Sequence, residues 1–238
     1  MAKPNWTLFR GYWNLDEAAN TNAIDSSPNV FTLAQGGGAI ASAEGGRDLE
    51  ETSSQYFNIV DQALLSFADV EFTIGIWPKL ESQASNQVFI GKADHANNDI
   101  EYYLRYENAT DRYQFSVSSD GTVGNMDTAI ATTYGAVPAT TQAFVMGWHD
   151  PTANKIYISV DNGVVDEAAH AGGCNDNISP FRLGAYGGVA VSGEYDGILW
   201  SGFVYAGLMT AAERTWMYNA GVPRKWSEIY FVPRAGMI

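Results

Sequence analysis

One stretch near the end of the chain decides the fold, and it reads Tyr195-Asp196-Gly197-Ile198-Leu199-Trp200-Ser201-Gly202-Phe203-Val204-Tyr205. Aromatic and β-branched residues recur along it, which is typical of a long strand that closes a sheet. A short helix is predicted directly after it, because Thr210 and Glu213 have capping-box spacing and Gly221 ends the pattern. A closing strand followed by one short C-terminal helix predicts a β-sandwich and favours binding over catalysis.

Shorter β-patterns precede this stretch along the whole chain. Residues 70–77 alternate in character, and we expect that strand to end at Pro78. Segments 108–112 and 150–154 have the length of hairpin loops. The other predicted strands lie at residues 12–15, 55–59, 88–92, 102–107, 113–118, 144–149, 155–160, 164–169 and 181–185. No repeat or composition break divides them, so we predict one all-β domain with two antiparallel sheets.

Composition agrees with this class and excludes others. The 238 residues include 24 Gly, 13 Tyr and 7 Trp, and only 17% are charged, which suits strands and tight turns. The net charge of −14 argues against a nucleic-acid partner, because affinity for phosphates depends on Lys and Arg. No stretch approaches the roughly 18 apolar residues of a membrane-spanning helix. We therefore predict neither nucleic-acid binding nor membrane insertion.

The two ends of the chain differ in charge from its body. Residues 1–10 and 222–238 each carry a net charge of +2, which leaves −18 on residues 11–221. We divide the chain accordingly into an N-terminal arm, a central domain and a C-terminal tail. Seven residues of the arm and tail are predicted to dock on a partner: Trp6, Phe9, Arg10, Trp226, Ile229, Tyr230 and Phe231. Packing of both ends on their own domain is the equal alternative.

Five motifs follow one another through the body of the chain. They are an opening Tyr-Trp-Asn-Leu-Asp-Glu run, an early core strand, a Trp-His pair with a later Val-Asp-Asn-Gly turn, a Phe-Arg-Leu-Gly strand, and the strand and helix at the end. Their positions are residues 12–17 with 25–29, 72–79, 148–149 with 160–163, 181–184 and 195–221. Together they resemble the laminin-G-like, concanavalin-A-like lectin and glucanase family over residues 11–221. The resemblance implies a jelly-roll sandwich, and the family includes lectins, adhesion modules, enzymes and virion proteins.

Candidate catalytic residues lack the partners that a reaction needs. The resemblance implies that a glucanase would carry Glu-x-Asp with a further Glu close by, whereas Glu194-Tyr195-Asp196 lacks the third acid. His149 and Asp150 could form a base with its orienting carboxylate, but no nucleophile stands out beside them. The other candidates are His95, His170 and the single cysteine, Cys174. We predict no catalytic residue, and a hydrolase with a degenerate motif is the third functional hypothesis.

Two loops are rich in the oxygen donors that calcium prefers. Residues 94–99 include two Asp and two Asn, and residues 175–177 read Asn-Asp-Asn, in both cases without EF-hand spacing. The resemblance implies an acidic residue near the position of Trp200, so this chain departs from the family there. We predict no cofactor and interpret these residues as turn formers, with a structural calcium as the alternative.

Aromatic side chains provide the candidate ligand-binding residues, because sugar rings stack on aromatic faces. The candidates are Tyr102, Tyr106, Tyr113, Tyr186 and Trp200. The alternation of residues 101–107 would expose some of them to a ligand. Packing in the core or across strands is the alternative interpretation.

The leading functional hypothesis is a non-catalytic structural or adhesion protein. The chain starts with Met and shows no apolar export signal, so we expect synthesis in a host cytoplasm. A virion surface component fits this combination: a capsid-decoration, head-fibre or tail protein that contacts other virion proteins, copies of itself and a cell-surface glycan. The alternative is a free-standing carbohydrate-binding lectin module that works outside cells.

Overall fold

Two antiparallel sheets lie face to face in the computed structural model, which describes residues 2–230. Strands are numbered in chain order. Within the described residues, the first sheet contains β1 (Phe9–Trp13), β3 (Ala41–Ala43), β4 (Gly46–Leu49), β6 (Phe72–Leu80), β11 (Val145–Asp150), β12 (Lys155–Val160), β13 (Val165–Ala169) and β15 (Gly197–Tyr205). The second contains β2 (Ala34–Gly36), β5 (Tyr56–Ile59), β7 (Gln87–Asp94), β8 (Asp99–Glu107), β9 (Arg112–Ser118), β10 (Met126–Ile130) and β14 (Phe181–Leu183). The predicted all-β, two-sheet sandwich is confirmed.

The predicted closing strand, β15, is the central element of the first sheet. The strand order is β13-β12-β11-β6-β15-β4-β3, and β1 also pairs with β15. Trp200 lies opposite Trp77 of β6, and the register shifts between Trp200 and Phe203. In the second sheet the order is β10-β9-β8-β7-β14-β5-β2. Strands that are distant in sequence are therefore neighbours in both sheets. Short strands form there because they pair with other strands of the sheet.

The main core fills the space between the sheets. Because side chains alternate across a strand, every second residue of β6 and β8 points inward. Phe72, Ile74 and Ile76 of β6 face Tyr102 and Leu104 of β8 in this core, and all are buried. Burial of side chains of this size stabilises the fold by about 1.5–3 kcal/mol each relative to exposure.

A second apolar cluster covers the outer face of the first sheet. The helix α1 (Ala211–Tyr218) begins after the predicted capping box of Thr210 and Glu213. It ends at Tyr218 because Asn219, Ala220 and Gly221 all have left-handed φ values, of 48°, 55° and 84°. The helix packs Trp216 and Met217 onto this face, together with Phe203 of β15.

Both ends of the described chain pack on the same outer face. Trp226 begins the one-turn helix α2 (Trp226–Ile229), and its ring lies 5.6 Å from the rings of Phe9 and Tyr12. Ile229 is buried there, and Nζ of Lys3 donates a hydrogen bond to the carbonyl of Glu228 at 2.8 Å. These residues therefore pack on their own domain, and docking of the ends on a partner stays a prediction.

The other predicted docking residues are placed as follows. The half-buried Trp6 contacts the exposed Tyr230 edge to face, with ring centroids 4.8 Å apart. Arg10 is half-buried within β1, so the predicted boundary between arm and domain runs through a strand. Phe231 lies outside the described residues. Of this set, Tyr230 retains an exposed ring.

Two expectations about strands are wrong. The strand predicted at 70–77 continues through Pro78 to Leu80. The N–H of Ala143 still donates to the carbonyl of Pro78 at 3.0 Å, so the pairing continues past Ile76 although Pro78 has no N–H to return the bond. The sequence patterns also fail to predict β2, β3, β4 and β10, which are three to five residues long.

Candidate functional site

Three of the predicted ligand-binding tyrosines lie in the core instead of on a surface. Tyr102, Tyr106 and Tyr113 are 0%, 2% and 1% exposed. The hydroxyl of Tyr102 donates to the carbonyl of Leu65 at 2.6 Å, and that of Tyr106 donates to Asp111 at 3.2 Å. Because these residues occupy the inward register of β8 and β9, their rings are not available to a ligand. The prediction that these three tyrosines are exposed to a ligand is therefore wrong.

The opposite register of β8 faces outward and carries polar side chains that the sequence analysis did not select. Nε and Nη2 of Arg105 donate to Oε1 of Gln114 on β9, at 3.1 and 2.9 Å. Arg105 also forms an ion pair with Glu107, and its guanidinium lies 5.6 Å from the ring centre of Tyr103. The charges at alternate positions 105 and 107 are the signal that could have identified this outer face.

Tyr186 joins this outer face through a loop and completes a cluster of three aromatic rings. Its ring is stacked on His95 with centroids 4.4 Å apart, and Tyr103 lies 6.0 Å away. Backbone hydrogen bonds between Tyr186 and Ser192, both 3.0 Å long, hold the loop closed. Gly193 packs against the Tyr186 ring, where a Cβ would lie 2.8 Å from Cε1. Tyr186 is therefore rigidly placed and half-buried.

The electrostatics of this cluster favour neutral rings inside a charged border. Burial lowers the pKa of His95, and the nearby Arg105 lowers it further. Burial also raises the pKa of Tyr186, with Glu194 and Glu107 acting in the same direction and Arg105 against it. Nε2 of His95 is buried and has no hydrogen-bond partner within residues 2–230. We call Tyr186, His95, Tyr103, Arg105 and Glu107 the aromatic cluster.

The last predicted ligand-binding residue, Trp200, lies on the first sheet. Its indole N–H donates to the carbonyl of Glu44 at 3.2 Å, and the side chain is 7% exposed. It lines a cleft of about 320 Å³ together with Gln142, Val222 and Lys225, among others. Only a small part of the indole is thus open to a ligand there.

A group of carboxylates near that cleft offers the best metal donors among the described residues. Oxygens of Asp48, Glu50 and Glu81 lie within 4.8 Å of one another. Burial raises the pKa of Asp48, and the neighbouring Asp196 raises it further. Hard oxygen donors of this kind suit calcium, although exposed acidic groups also occur without any ion.

The loops that the sequence suggested for calcium contain Asp and Asn side chains that cap turns. Oδ1 of Asp94 accepts from the backbone N–H of Ala96, and Oδ2 accepts from the amide of Asn97. Oδ1 of Asn177 accepts from both N–H and hydroxyl of Ser179. These contacts match the interpretation of the loop residues as turn formers.

The candidate catalytic groups are separated or occupied by structural contacts. Glu194 accepts from Ser54, whereas Asp196 lies beside Asp48, so the two acids belong to different groups. His149 is fully buried, and its Nδ1 lies 3.0 Å from the carbonyl of Val70. His170, which contacts Asp127 and Gly173, and the free thiol of Cys174 are buried too, whereas the half-buried His95 belongs to the aromatic cluster.

Comparison with known proteins finds a family model that matches most of the chain. A family model described as the concanavalin A-like lectin/glucanases superfamily matches residues 51–213. A search of curated protein sequences finds no match. Within residues 2–230, no helix is long and apolar enough to cross a membrane.

Three solved structures illustrate the likeness in three dimensions. The receptor-binding domain of botulinum neurotoxin mosaic serotype C/D has a TM-score of 0.66 at 9% identity, covering 90% of this chain and 51% of that chain. A structure of botulinum neurotoxin type C, whose cell entry is dependent upon interaction with two ganglioside molecules, has a TM-score of 0.63 at 11% identity. The match covers 90% of this chain and 51% of that chain. Domain 4 of AbnA, an extracellular GH43 arabinanase from Geobacillus stearothermophilus in complex with arabinotriose, gives 0.57 at 15% identity, with coverage of 88% and 98%.

These structures are jelly-roll binding domains, which confirms the predicted jelly roll. The chain spans about half the length of the neurotoxin domains that it matches. At identities of 9–15% the likeness shows the fold alone.

Proposed function

The chain belongs to the concanavalin A-like lectin/glucanases superfamily, and from that premise we propose that it is a non-catalytic domain that binds glycans. The binding surface in this proposal is the outer face of the second sheet, around the aromatic cluster. A binding role agrees with the solved structures that share the fold, which are mainly binding domains. The proposal goes further than these likenesses in naming the ligand class and the surface.

The observation that carries the proposal is the fixed Tyr186 ring beside outward-facing charges. Its hydroxyl makes no hydrogen bond to residues 2–230, whereas Arg105 and Glu107 lie near it. Carbohydrates present apolar C–H faces and many hydroxyls, so they bind where aromatic rings adjoin hydrogen-bonding groups that are already held in place. Because the ring and Arg105 are fixed by contacts within the protein, little conformational entropy would be lost on binding.

Two relatives in fold support the choice of ligand class. The arabinanase domain is in complex with arabinotriose, and the type C neurotoxin interacts with gangliosides. Arabinotriose and gangliosides are ligands of those two proteins, and the proposal for this chain names glycans only as a class. A protein receptor is the second kind of partner, since a neurotoxin domain of the same fold is in complex with rat synaptotagmin II.

The virion location and its partners stay a prediction, and so does an extracellular location. The solved structures named above are toxin binding domains and one domain of an enzyme. The glycan proposal does not depend on where the protein is found.

A glycan array followed by calorimetry tests the proposal. The full-length protein is expected to bind a defined set of glycans, and Tyr186→Ala should weaken the best of them at least tenfold. Tyr157→Ala is the matched control, because this half-buried ring is stacked on Trp148, 5.3 Å away, on the first sheet. Absence of array binding, or equal weakening by both variants, would contradict the proposal.

A further inference from the structure

A second cleft lies on the second sheet, at the other end of the loop that carries Tyr186. It measures about 310 Å³, and its wall includes Arg182 of β14, Asn58 of β5 and the loop residue Val189. The two guanidinium nitrogens Nη1 and Nη2 of Arg182 donate to the carbonyls of Gly187 and Gly188. The loop that orients Tyr186 is therefore also a wall of this cleft.

The polar groups of the cleft are mainly hydrogen-bond acceptors. Oδ1 of Asp61 lies 2.8 Å from Nζ of Lys92, and its second oxygen has no hydrogen-bond partner within the described residues. The amide nitrogen of Asn58 donates to the carbonyl of Ala34 at 3.2 Å, which leaves its Oδ1 for another donor. A ligand here must bring donors, as hydroxyls and amide N–H groups do.

The cations near the cleft are already neutralised or bonded. Lys92 is fully buried and contacts Glu101, Asp61 and the carbonyl of Asn177. Arg182 is 4% exposed, with both terminal nitrogens bonded to the loop. Each of these terminal nitrogens carries a second N–H, so Arg182, which lines the cleft, can still donate to a neutral acceptor such as an amide carbonyl. The open carboxylate of Asp61 repels carboxylate, sulfate and phosphate ligands, which favours an uncharged ligand.

The rim of the cleft is aliphatic and unusually exposed. Val60, Ile178 and Val189 are 71%, 79% and fully exposed. All three line the same cleft. Aliphatic side chains grouped around a polar cleft suit a ligand that carries a small apolar group next to hydrogen-bonding atoms.

We propose that this cleft binds an uncharged, N-acetylated sugar residue. The acetamido methyl group contacts Val60, Ile178 and Val189, while its carbonyl accepts from Arg182. Hydroxyls and the amide N–H of the sugar donate to Asp61 and Asn58. This inference rests on the proposed function, because it names a sugar class for the face that carries the aromatic cluster.

Titration of the wild-type protein with four oligosaccharides tests the inference. Diacetylchitobiose is compared with cellobiose, which lacks the acetamido groups, and with sialyllactose, which is acidic; maltotriose serves as a further neutral sugar. We expect diacetylchitobiose to bind at least tenfold more tightly than cellobiose. The double variant Ile178→Ser/Val189→Ser should abolish that preference, and its exposed positions should leave folding intact.

A matched control shows whether the loss of preference is specific to the cleft. Val164→Ser/Val222→Ser changes two exposed valines away from the cleft and should keep the preference. If the protein binds other glycans but does not prefer diacetylchitobiose, or if the cleft variant keeps the preference, the inference is overturned while the proposed function stands. Failure to bind any glycan on the array overturns both.

Discussion

The outer faces of the two sheets differ in how they are covered. On the first sheet, Phe203 of β15 is buried together with Trp216 of α1 and Ile229 of α2, and the arm packs against the same face. On the second, a small cluster around Tyr103 is accompanied by Arg105 and other polar side chains. The first sheet is therefore apolar on both faces, whereas the second is apolar mainly on the inside.

This difference separates stability from recognition within one fold. An apolar face that the chain covers with its own ends contributes to stability and offers little surface to a partner. A face with fixed aromatic and charged groups contributes less to stability but can discriminate between ligands. The three predictions below test that separation, in order of decreasing effect.

The largest expected effect comes from opening the apolar outer face. Phe203→Ala should lower the free energy of unfolding by about 4 kcal/mol, because the fully buried ring contacts Phe9, Tyr12 and Trp77. Urea denaturation followed by tryptophan fluorescence measures the change. On the second sheet, Tyr186→Ala should cost less than half as much. Equal losses for the two variants would remove the basis of the comparison.

The second sheet should instead show a distinctive dependence on pH. Burial raises the pKa of Glu101 to about 7 from its usual 4.5, although Lys92 opposes the shift. The folded protein then holds this proton more tightly than the unfolded chain does, so its contribution to stability falls as the pH rises from 4.5 through 7. The loss is roughly 3 kcal/mol.

Chemical denaturation of wild type and Glu101→Gln between pH 4.5 and 8 measures this contribution. The two proteins should be similarly stable at pH 4.5, and the variant should become relatively more stable as the pH rises. Glu107→Gln, on the same strand but only half-buried, is the control and should follow the wild-type profile. Parallel profiles for Glu101→Gln and wild type would show that Glu101 does not titrate in this range.

The smallest of the three effects concerns the tail. Ending the chain at Gly221 should lower the free energy of unfolding by about 2 kcal/mol relative to ending it at Tyr230. The buried Ile229 and half-buried Trp226 contribute more than this, but ordering the segment offsets part of it. Light scattering on both chains tests the docking alternative: a change of oligomeric state on removing residues 222–230 would show that this segment also contacts another subunit.

The sequence predicts the long strands well because their patterns are strong and their ends coincide with turns. β15 and α1 lie where the closing strand and the capping box indicate. β4 is not predictable in the same way, since Gly-Arg-Asp-Leu contains few β-formers. It forms because β15 pairs with it, and Arg47 lies buried over the ring of Phe57 at 4.9 Å.

The candidate site could be predicted only in part. Alternation along β8 shows that odd and even positions face opposite ways, but it does not say which face is inside. Tyr102 and Tyr103 are both fully buried, since the outer face is partly covered by the loop that carries Tyr186. The contact of His95 with Tyr186 joins positions 91 residues apart, and no local pattern indicates it.

The hydrogen bond between Lys3 and Glu228 has a practical consequence for attaching this protein to something else. It holds the two described ends side by side on one side of the sandwich. A carrier, bead or display scaffold joined directly before Lys3 or directly after Tyr230 would therefore approach from that side. The opposite side, with the aromatic cluster and the cleft lined by Arg182 and Val189, would be presented outward, and joining the two described ends by a short linker would leave that orientation unchanged.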